Sequence, residues 1–165
     1  MNSIKITSLA LLIMLQFVAC KQSGRIQVID LDENVKTAGI AKNLTKGTNN
    51  IDFCKLINVD WDLIWIITPY AAPAQIDKIK AENFSAIKSW VLTVSAGDQY
   101  VQLIVLKQNK VVAYGKLSRL PLDLGNLRRP DGSLASISKE NCGHFMSSDK
   151  IGRPGYSLEI DSAKL

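Results

Sequence analysis

The residues of this sequence best suited to covalent chemistry are a cysteine and the single histidine, which stand close together. Cys142 and His144 flank Gly143, so a thiol and an imidazole share a face if the segment is extended. A cysteine nucleophile needs a nearby base and a further group that orients the base. Two neighbouring residues do not supply that set alone, and a disulfide at Cys142 would remove the nucleophile. A thiol enzyme using Cys142 and His144 is therefore only an alternative interpretation.

The amino end predicts export to the cell envelope. One lysine, Lys5, precedes the apolar stretch from Ser8 to Ala19, which runs directly into Cys20. An apolar core of this length is typical of a secretory signal and is too short for a membrane-spanning helix. The ending FVAC resembles the bacterial lipobox, in which small residues precede a cysteine that becomes the first residue of the mature protein. The alternative is an ordinary secreted protein cut elsewhere, with Cys20 as a free thiol.

The lipobox resemblance implies that Cys20 carries a thioether-linked diacylglycerol and usually an acylated amine. Each buried methylene contributes about 0.8 kcal/mol, so two or three acyl chains anchor a protein stably in the bilayer. Lys21 follows the cysteine in place of an aspartate. In bacterial lipoproteins of this kind, that difference favours the outer membrane, facing the periplasm, if the host is Gram-negative.

Charge and length indicate one domain that does not bind nucleic acid. We predict a signal peptide over 1–19, a lipidated amino end and tether over 20–29, and a single domain over 30–165.

Removal of Lys5 with the signal peptide lowers the net charge from +5 to +4. This charge is small and spread along the chain, whereas a nucleic-acid binder concentrates it on one face.

Two cysteines remain in the exported domain, Cys54 and Cys142. In an oxidising compartment they predict a disulfide, and the alternative is two separate buried thiols. Zinc needs three or four ligands, and Cys54, Cys142 and His144 could offer three, but they lack paired motif spacing. No phosphate-binding glycine loop or serine nucleophile motif is present. We therefore expect no metal ion and no cofactor.

The stretch DWDLIWIITPY, from Asp60 to Tyr70, predicts a buried strand at the centre of the fold. Alternation places Trp61 and Trp65 on one face of that strand. Asp60 and Asp62 form a candidate acid–base pair, although carboxylates at the start of a strand more often cap loop amides or face water. The other predicted elements are helices over 30–44, capped by Asp32, and from Pro73, with strands over 90–95, 100–106, 111–117, 134–138 and 156–160.

These elements predict an α+β domain with a mainly antiparallel sheet of about five or six strands and two or three helices on one face. The motif from Trp61-Asp62 to Pro69-Tyr70, followed by a helix and an apolar hairpin, resembles small bacterial lipoproteins with no assigned activity. This resemblance covers roughly 53–117 and implies no functional residue. A looser likeness, to helix-plus-sheet lipoproteins of outer-membrane assembly and to inhibitor-type folds, concerns the fold alone.

The leading functional hypothesis is a membrane-anchored, non-catalytic lipoprotein whose partners are the bilayer and another envelope protein. Its candidate contact surface comprises Trp65, Tyr70, Arg128 and Arg129. The first alternative is a small-ligand binder with a pocket between sheet and helices beside Trp65 and Tyr70. The second alternative is the thiol enzyme described above.

Overall fold

The computed structural model describes residues 25–40, 50–120, 122–125, 127, 132–143, 145–149 and 156–160. The helices among them are α1 (Leu31–Thr37), α2 (Phe53–Leu56), α3 (Pro73–Ile76) and α4 (Ser85–Ser95). The strands are β1 (Gln27–Asp30), β2 (Asn50–Ile51), β3 (Leu63–Ile67), β4 (Tyr100–Lys107), β5 (Lys110–Ser118), β6 (Leu122–Asp123), β7 (Ala135–Ser138), β8 (Phe145–Asp149) and β9 (Tyr156–Ile160).

Five strands form the main sheet, in the order β1-β5-β4-β3-β7. Its inner pairs are antiparallel, and β1 alone runs parallel to its neighbour β5. A smaller sheet has the order β2-β8-β9-β6. The predicted α+β class with a mainly antiparallel sheet is therefore confirmed. The sheet already begins at Gln27, within the stretch assigned to the tether.

Two apolar clusters lie on opposite faces of the main sheet. On one face, Leu103 and Val105 of β4 pack with Leu31 of α1 and Phe53 of α2. On the other face, Ile104 packs with residues of α3 and α4, including Ile76 and Val91. The helices are therefore divided between the two faces, where the sequence predicted them on one. The reason is that the inner strands are apolar at almost every position, so both faces need a cover.

The strand that was predicted to contain both tryptophans starts only at Leu63, so Trp65 lies in it and Trp61 does not. Trp61 precedes β3 and is fully buried in the cluster of Leu103 and Val105. Trp65 lies within β3, is half-buried and packs against the opposite cluster. Alternation applies only inside a regular strand, so the predicted shared face is wrong. β3 is an inner strand, but the middle strand of the sheet is β4.

Helix positions differ most from the sequence prediction. The segment 90–95, predicted as a strand, forms the end of α4. Its β-branched residues suit a strand, but Ile87 and Val91 are four positions apart and pack together on one helix face. The residue that caps α1 is Asp30 and not the predicted Asp32. The Asp30 side chain accepts a hydrogen bond from Glu33 N, whereas the Asp32 side chain accepts one from Ser118 N.

The β4–β5 hairpin is confirmed, with its turn at Gln108 and Asn109. Both turn residues have positive φ, 49° and 59°, as a type I′ turn requires. The Asn83 side chain holds the start of β5 by donating to Val111 O and accepting from Val111 N. The Asp62 carboxylate accepts from Gln108 N at 2.8 Å. The hairpin is thus fixed by local turn chemistry and by two distant polar side chains.

Candidate functional site

The structure brings together the two cysteines that the sequence paired. Their sulfur atoms lie at disulfide-bonding distance, and their Cα atoms are 5.3 Å apart across a sequence separation of 88 residues. This Cα separation is within the usual range for a disulfide. Cys142 is fully buried, whereas Cys54 is exposed on α2. The backbone is joined at the same place, since Phe53 N donates to Cys142 O at 2.8 Å.

A carboxylate lies beside the cysteine pair. The ligand atoms of Asp52, Cys54 and Cys142 all lie within 4.8 Å of one another. A disulfide leaves neither sulfur as a thiolate, so this trio offers a metal ion only the carboxylate. That carboxylate already caps α2 by accepting from Cys54 N at 2.9 Å. The arrangement is therefore that of a structural bridge next to a helix cap.

Asp60 and Asp62, the candidate acid–base pair, form part of a surface ion cluster. Lys107 Nζ lies 2.7 Å from an Asp62 oxygen and 3.3 Å from an Asp60 oxygen, and Lys139 Nζ lies 3.7 Å from Asp60. The hydrogen bond from Lys107, with that from Gln108 N, lowers the pKa of Asp62. A general acid needs a raised pKa. Asp62 is therefore poorly suited to act as a general acid, and its bonds to Lys107 and Gln108 tie it to the β4–β5 turn.

A buried ion pair, not anticipated from the sequence, joins the end of β5 to β6. The Arg119 guanidinium donates from Nε and Nη2 to the two Asp123 oxygens, at 2.9 and 2.8 Å. Asp123 is fully buried and also accepts from Gly125 N at 2.8 Å. Hydrogen bonding to Asp123 is the main reason that the pKa of Arg119 is raised. The remaining nitrogen, Nη1, donates to Asp98 O, which ties this corner to the start of β4.

Replacing Asp123 with alanine is expected to destabilise the protein strongly. Asp123→Ala leaves the half-buried Arg119 without its counter-charge, and breaking such a pair costs about 3 kcal/mol. Urea titration followed by circular dichroism measures the loss. The double variant Arg119→Met/Asp123→Leu is the matched control and should recover part of it, because apolar residues of similar size replace both charges. A loss below about 1 kcal/mol in the single variant would show that the pair contributes little.

Tyr70 projects from a turn that directly follows β3. Ala71 N donates to Thr68 O at 3.2 Å, which closes a turn with the buried Pro69 in second and Tyr70 in third position. Tyr70 has a φ of 58°, as in a type II turn, where glycine or asparagine is usual. Tyr70 N donates to Ser95 O at 2.7 Å, which docks the turn onto the carboxyl end of α4. The side chain is 68% exposed.

A second exposed apolar side chain, Leu120, lies at the same end of the main sheet. Leu120 is 53% exposed and directly follows Arg119, whose N–H donates to Gln99 O. Tyr70 and Leu120 both follow strand ends that lie on the same side of the sheet, since Ile67 of β3 pairs with Gln102 of β4 and Tyr100 of β4 pairs with Ser118 of β5.

The candidate surface predicted from the sequence is only partly assembled. Trp65 lies in mid-strand and packs against the apolar cluster of α4, whereas Tyr70 stands exposed beyond the end of β3. An open cavity of about 490 Å³ lies between α3 and the start of α4. Its lining includes Ile79, Phe84 and Lys88, but neither Trp65 nor Tyr70. The residues expected to frame a ligand pocket therefore do not frame this cavity.

Several predicted residues lie outside the described part of the chain. They are the lipid-attachment residue Cys20, the basic pair Arg128 and Arg129, and His144. None of the helices in the described ranges combines the length and apolar character needed to cross a bilayer. Comparisons with protein-family models, curated proteins and solved structures found no match to this chain.

Proposed function

We propose that this protein is a bacterial lipoprotein, anchored in the cell envelope through acylated Cys20, whose non-catalytic domain contacts another envelope protein. The observation that carries the proposal is the apolar leader ending in FVAC, followed at once by a polar stretch. If the host is Gram-negative, Lys21 favours the outer membrane, with the domain facing the periplasm.

The position of the first strand supports an anchor that holds the domain near the bilayer. Gln27 is the first residue of β1, and the chain between Cys20 and Gln27 is short. Roughly seven residues span at most about 25 Å when fully extended. A lipid on Cys20 would therefore keep Gln27, the start of β1, within that distance of the membrane surface.

The pairing of reactive groups in the described domain supports a non-catalytic role. Asp62 is paired with Lys107 and Asp123 with Arg119, and the sulfur atoms of Cys54 and Cys142 lie against each other. Catalytic groups instead direct a perturbed acid, base or nucleophile into a cleft. The exposed Tyr70, in contrast, has the character of a protein-contact residue.

Replacing the lipid-attachment cysteine tests the anchor. Cys20→Ser is expected to release the protein from the membrane fraction or to leave it as an unprocessed precursor, because serine cannot form the thioether. Fractionation of the envelope with immunoblotting and intact mass measures both outcomes. Cys54→Ser is the matched control, since it breaks the predicted disulfide but keeps Cys20, and it should leave the membrane fractionation unchanged. Unaltered size and membrane association in Cys20→Ser would contradict the lipoprotein assignment.

A further inference from the structure

We infer that Cys54 is a site of thiol–disulfide exchange, at which an external thiolate opens the bridge to Cys142 and stays bound to Cys54 as a mixed disulfide. The reacting class is a thiolate, supplied by a small thiol or by a cysteine of a dithiol oxidoreductase. Exchange at Cys54 requires the bridge, but it requires neither the membrane anchor nor the protein contact proposed above.

The two bridged cysteines differ in access from solvent. Cys54 is an exposed residue on α2, whereas Cys142 is fully buried in the apolar cluster that contains Phe53 and Trp61. The rate of thiol–disulfide exchange depends on access to the sulfur that is attacked. An external thiolate should therefore react with the bridge at Cys54.

The direction of attack leads to the same cysteine. In thiol–disulfide exchange the incoming sulfur approaches from the side opposite the leaving sulfur, in line with the bond that breaks. For attack on Cys54 the leaving sulfur belongs to the buried Cys142, so the approach comes from the solvent side. For attack on Cys142 the approach would come from the packed interior of the cluster.

The exchange step balances without a further reactant. The incoming thiolate forms a bond to Cys54 Sγ, and the electron pair of the broken bond leaves on Cys142 Sγ. A charged sulfur is costly to bury, so Cys142 takes up one proton from solvent. Cys142 Sγ lies 3.0 Å from Lys139 O, which is placed to accept a hydrogen bond from the new thiol.

The fate of the mixed disulfide depends on the attacking molecule. With a small thiol, Cys142 can attack Cys54 Sγ again, which restores the bridge and releases the thiol. With a dithiol, the second thiolate of the attacking molecule displaces Cys54 instead, so the dithiol is oxidised to a disulfide and the bridge is reduced to two thiols. Replacing Cys142 removes the returning thiol and should therefore preserve an adduct on Cys54.

Two charges of opposite sign lie beside the reacting sulfur. The Asp52 carboxylate and the two sulfur atoms lie within 4.8 Å of one another, and Lys55 Nζ is 3.4 Å from an Asp52 oxygen. The carboxylate repels an incoming thiolate, and the lysine attracts it. Both side chains are in contact with solvent, so each should change the rate only severalfold, and salt should weaken both effects.

Mapping the adduct on the bridged protein tests the site of attack. The purified mature protein is treated briefly with limiting glutathione, quenched with acid, alkylated in denaturant and analysed by peptide mass spectrometry. At least about tenfold more glutathione is expected on Cys54 than on Cys142, with the alkyl group on Cys142. Equal labelling, or more glutathione on Cys142, would overturn the inference. So would the absence of any adduct at a glutathione concentration that opens the bridge of the denatured protein.

Charge variants supply a readout that a change in stability would not reproduce. Asp52→Asn should raise the rate of opening by glutathione about two- to fourfold, and Lys55→Gln should lower it by a similar factor. Asparagine caps a helix as well as aspartate does, so α2 should be retained. Cysteamine is the matched reagent, because its ammonium group offsets the thiolate charge, and it should show smaller differences. Rates that neither variant alters at low ionic strength would contradict attack beside Asp52.

The source of the thiolate is identified in cells that produce Cys142→Ala, alkylated at lysis without reductant. A low-mass disulfide adduct on Cys54 would identify a small thiol, and a reducible protein adduct would identify an oxidoreductase. Cys54→Ser, which leaves only the buried Cys142, is the matched control and should carry neither adduct. A Cys54 thiol that is entirely free in the Cys142→Ala cells would overturn the inference and leave the anchor and the contact function untouched.

Discussion

Reducing the Cys54–Cys142 pair is expected to lower the free energy of unfolding by about 4–5 kcal/mol in the chain-entropy model. The magnitude follows from the 88-residue separation of the two cysteines. The measured loss of unfolding free energy should be smaller than this, because other contacts also hold the region together. Phe53 N donates to Cys142 O, and β2 pairs with β8 beside the bridge. Urea titrations with and without reductant, together with non-reducing peptide mapping of the mature protein, measure the loss and the linkage.

Thiol counting gives the control for this prediction. We expect no alkylation of Cys54 or Cys142 in the unfolded protein without reductant, and two modified thiols after reduction. The double variant Cys54→Ser/Cys142→Ala should match the reduced protein in stability. If both cysteines are alkylated without reductant, the disulfide prediction is wrong and the thiol-enzyme alternative with His144 has to be reconsidered.

The second large effect is expected from Trp61→Ala, at about 3–5 kcal/mol of unfolding free energy. Trp61 is 1% exposed and lies in the cluster with Ile64 and Ile66, and Lys139 Nζ is 5.5 Å from its ring centroid. Removing the ring leaves a large cavity that the surrounding sheet fills poorly. Denaturant titration followed by far-ultraviolet circular dichroism measures the loss without relying on tryptophan fluorescence.

Trp65→Ala is the matched control, since it removes the same side chain from a half-buried position. Its loss should be clearly smaller, because part of the Trp65 ring is already in water in the folded state. Equal losses in the two variants, or a larger loss for Trp65→Ala, would contradict the burial of the two rings described above.

Local patterns predicted the β4–β5 hairpin and the strands β7 and β9 well. The continuous apolar run of β4, the turn at Gln108-Asn109 and the return in β5 are signals contained within about twenty residues. The last strand, Tyr156–Ile160, also lies where predicted. Such elements are recognisable because strand alternation and turn chemistry depend on near neighbours.

The errors arose where distant packing decided between alternatives. The pattern of residues 90–95 suits both a strand and a helix. The helix forms because the apolar face of β4 that carries Ile104 is covered by residues of α4 such as Val91. β8 at Phe145–Asp149 was overlooked because its segment is polar, and its pairing comes from β2 and β9. No local signal marked Arg119 and Asp123 as an ion pair, because neither belongs to a helix in which spacing by four has meaning.

The sequence by itself indicated the predicted leader and Cys20, the α+β class, and the β4–β5 hairpin, because these depend on composition and on contacts between near neighbours. Only the tertiary structure decided the rest: that Trp61 and Trp65 face opposite clusters, that Asp123 is buried against Arg119, and that Tyr70 and Leu120 share one end of the sheet. These arrangements depend on strand register and on contacts between residues far apart in the chain. Such contacts are selected by the packing of the whole domain.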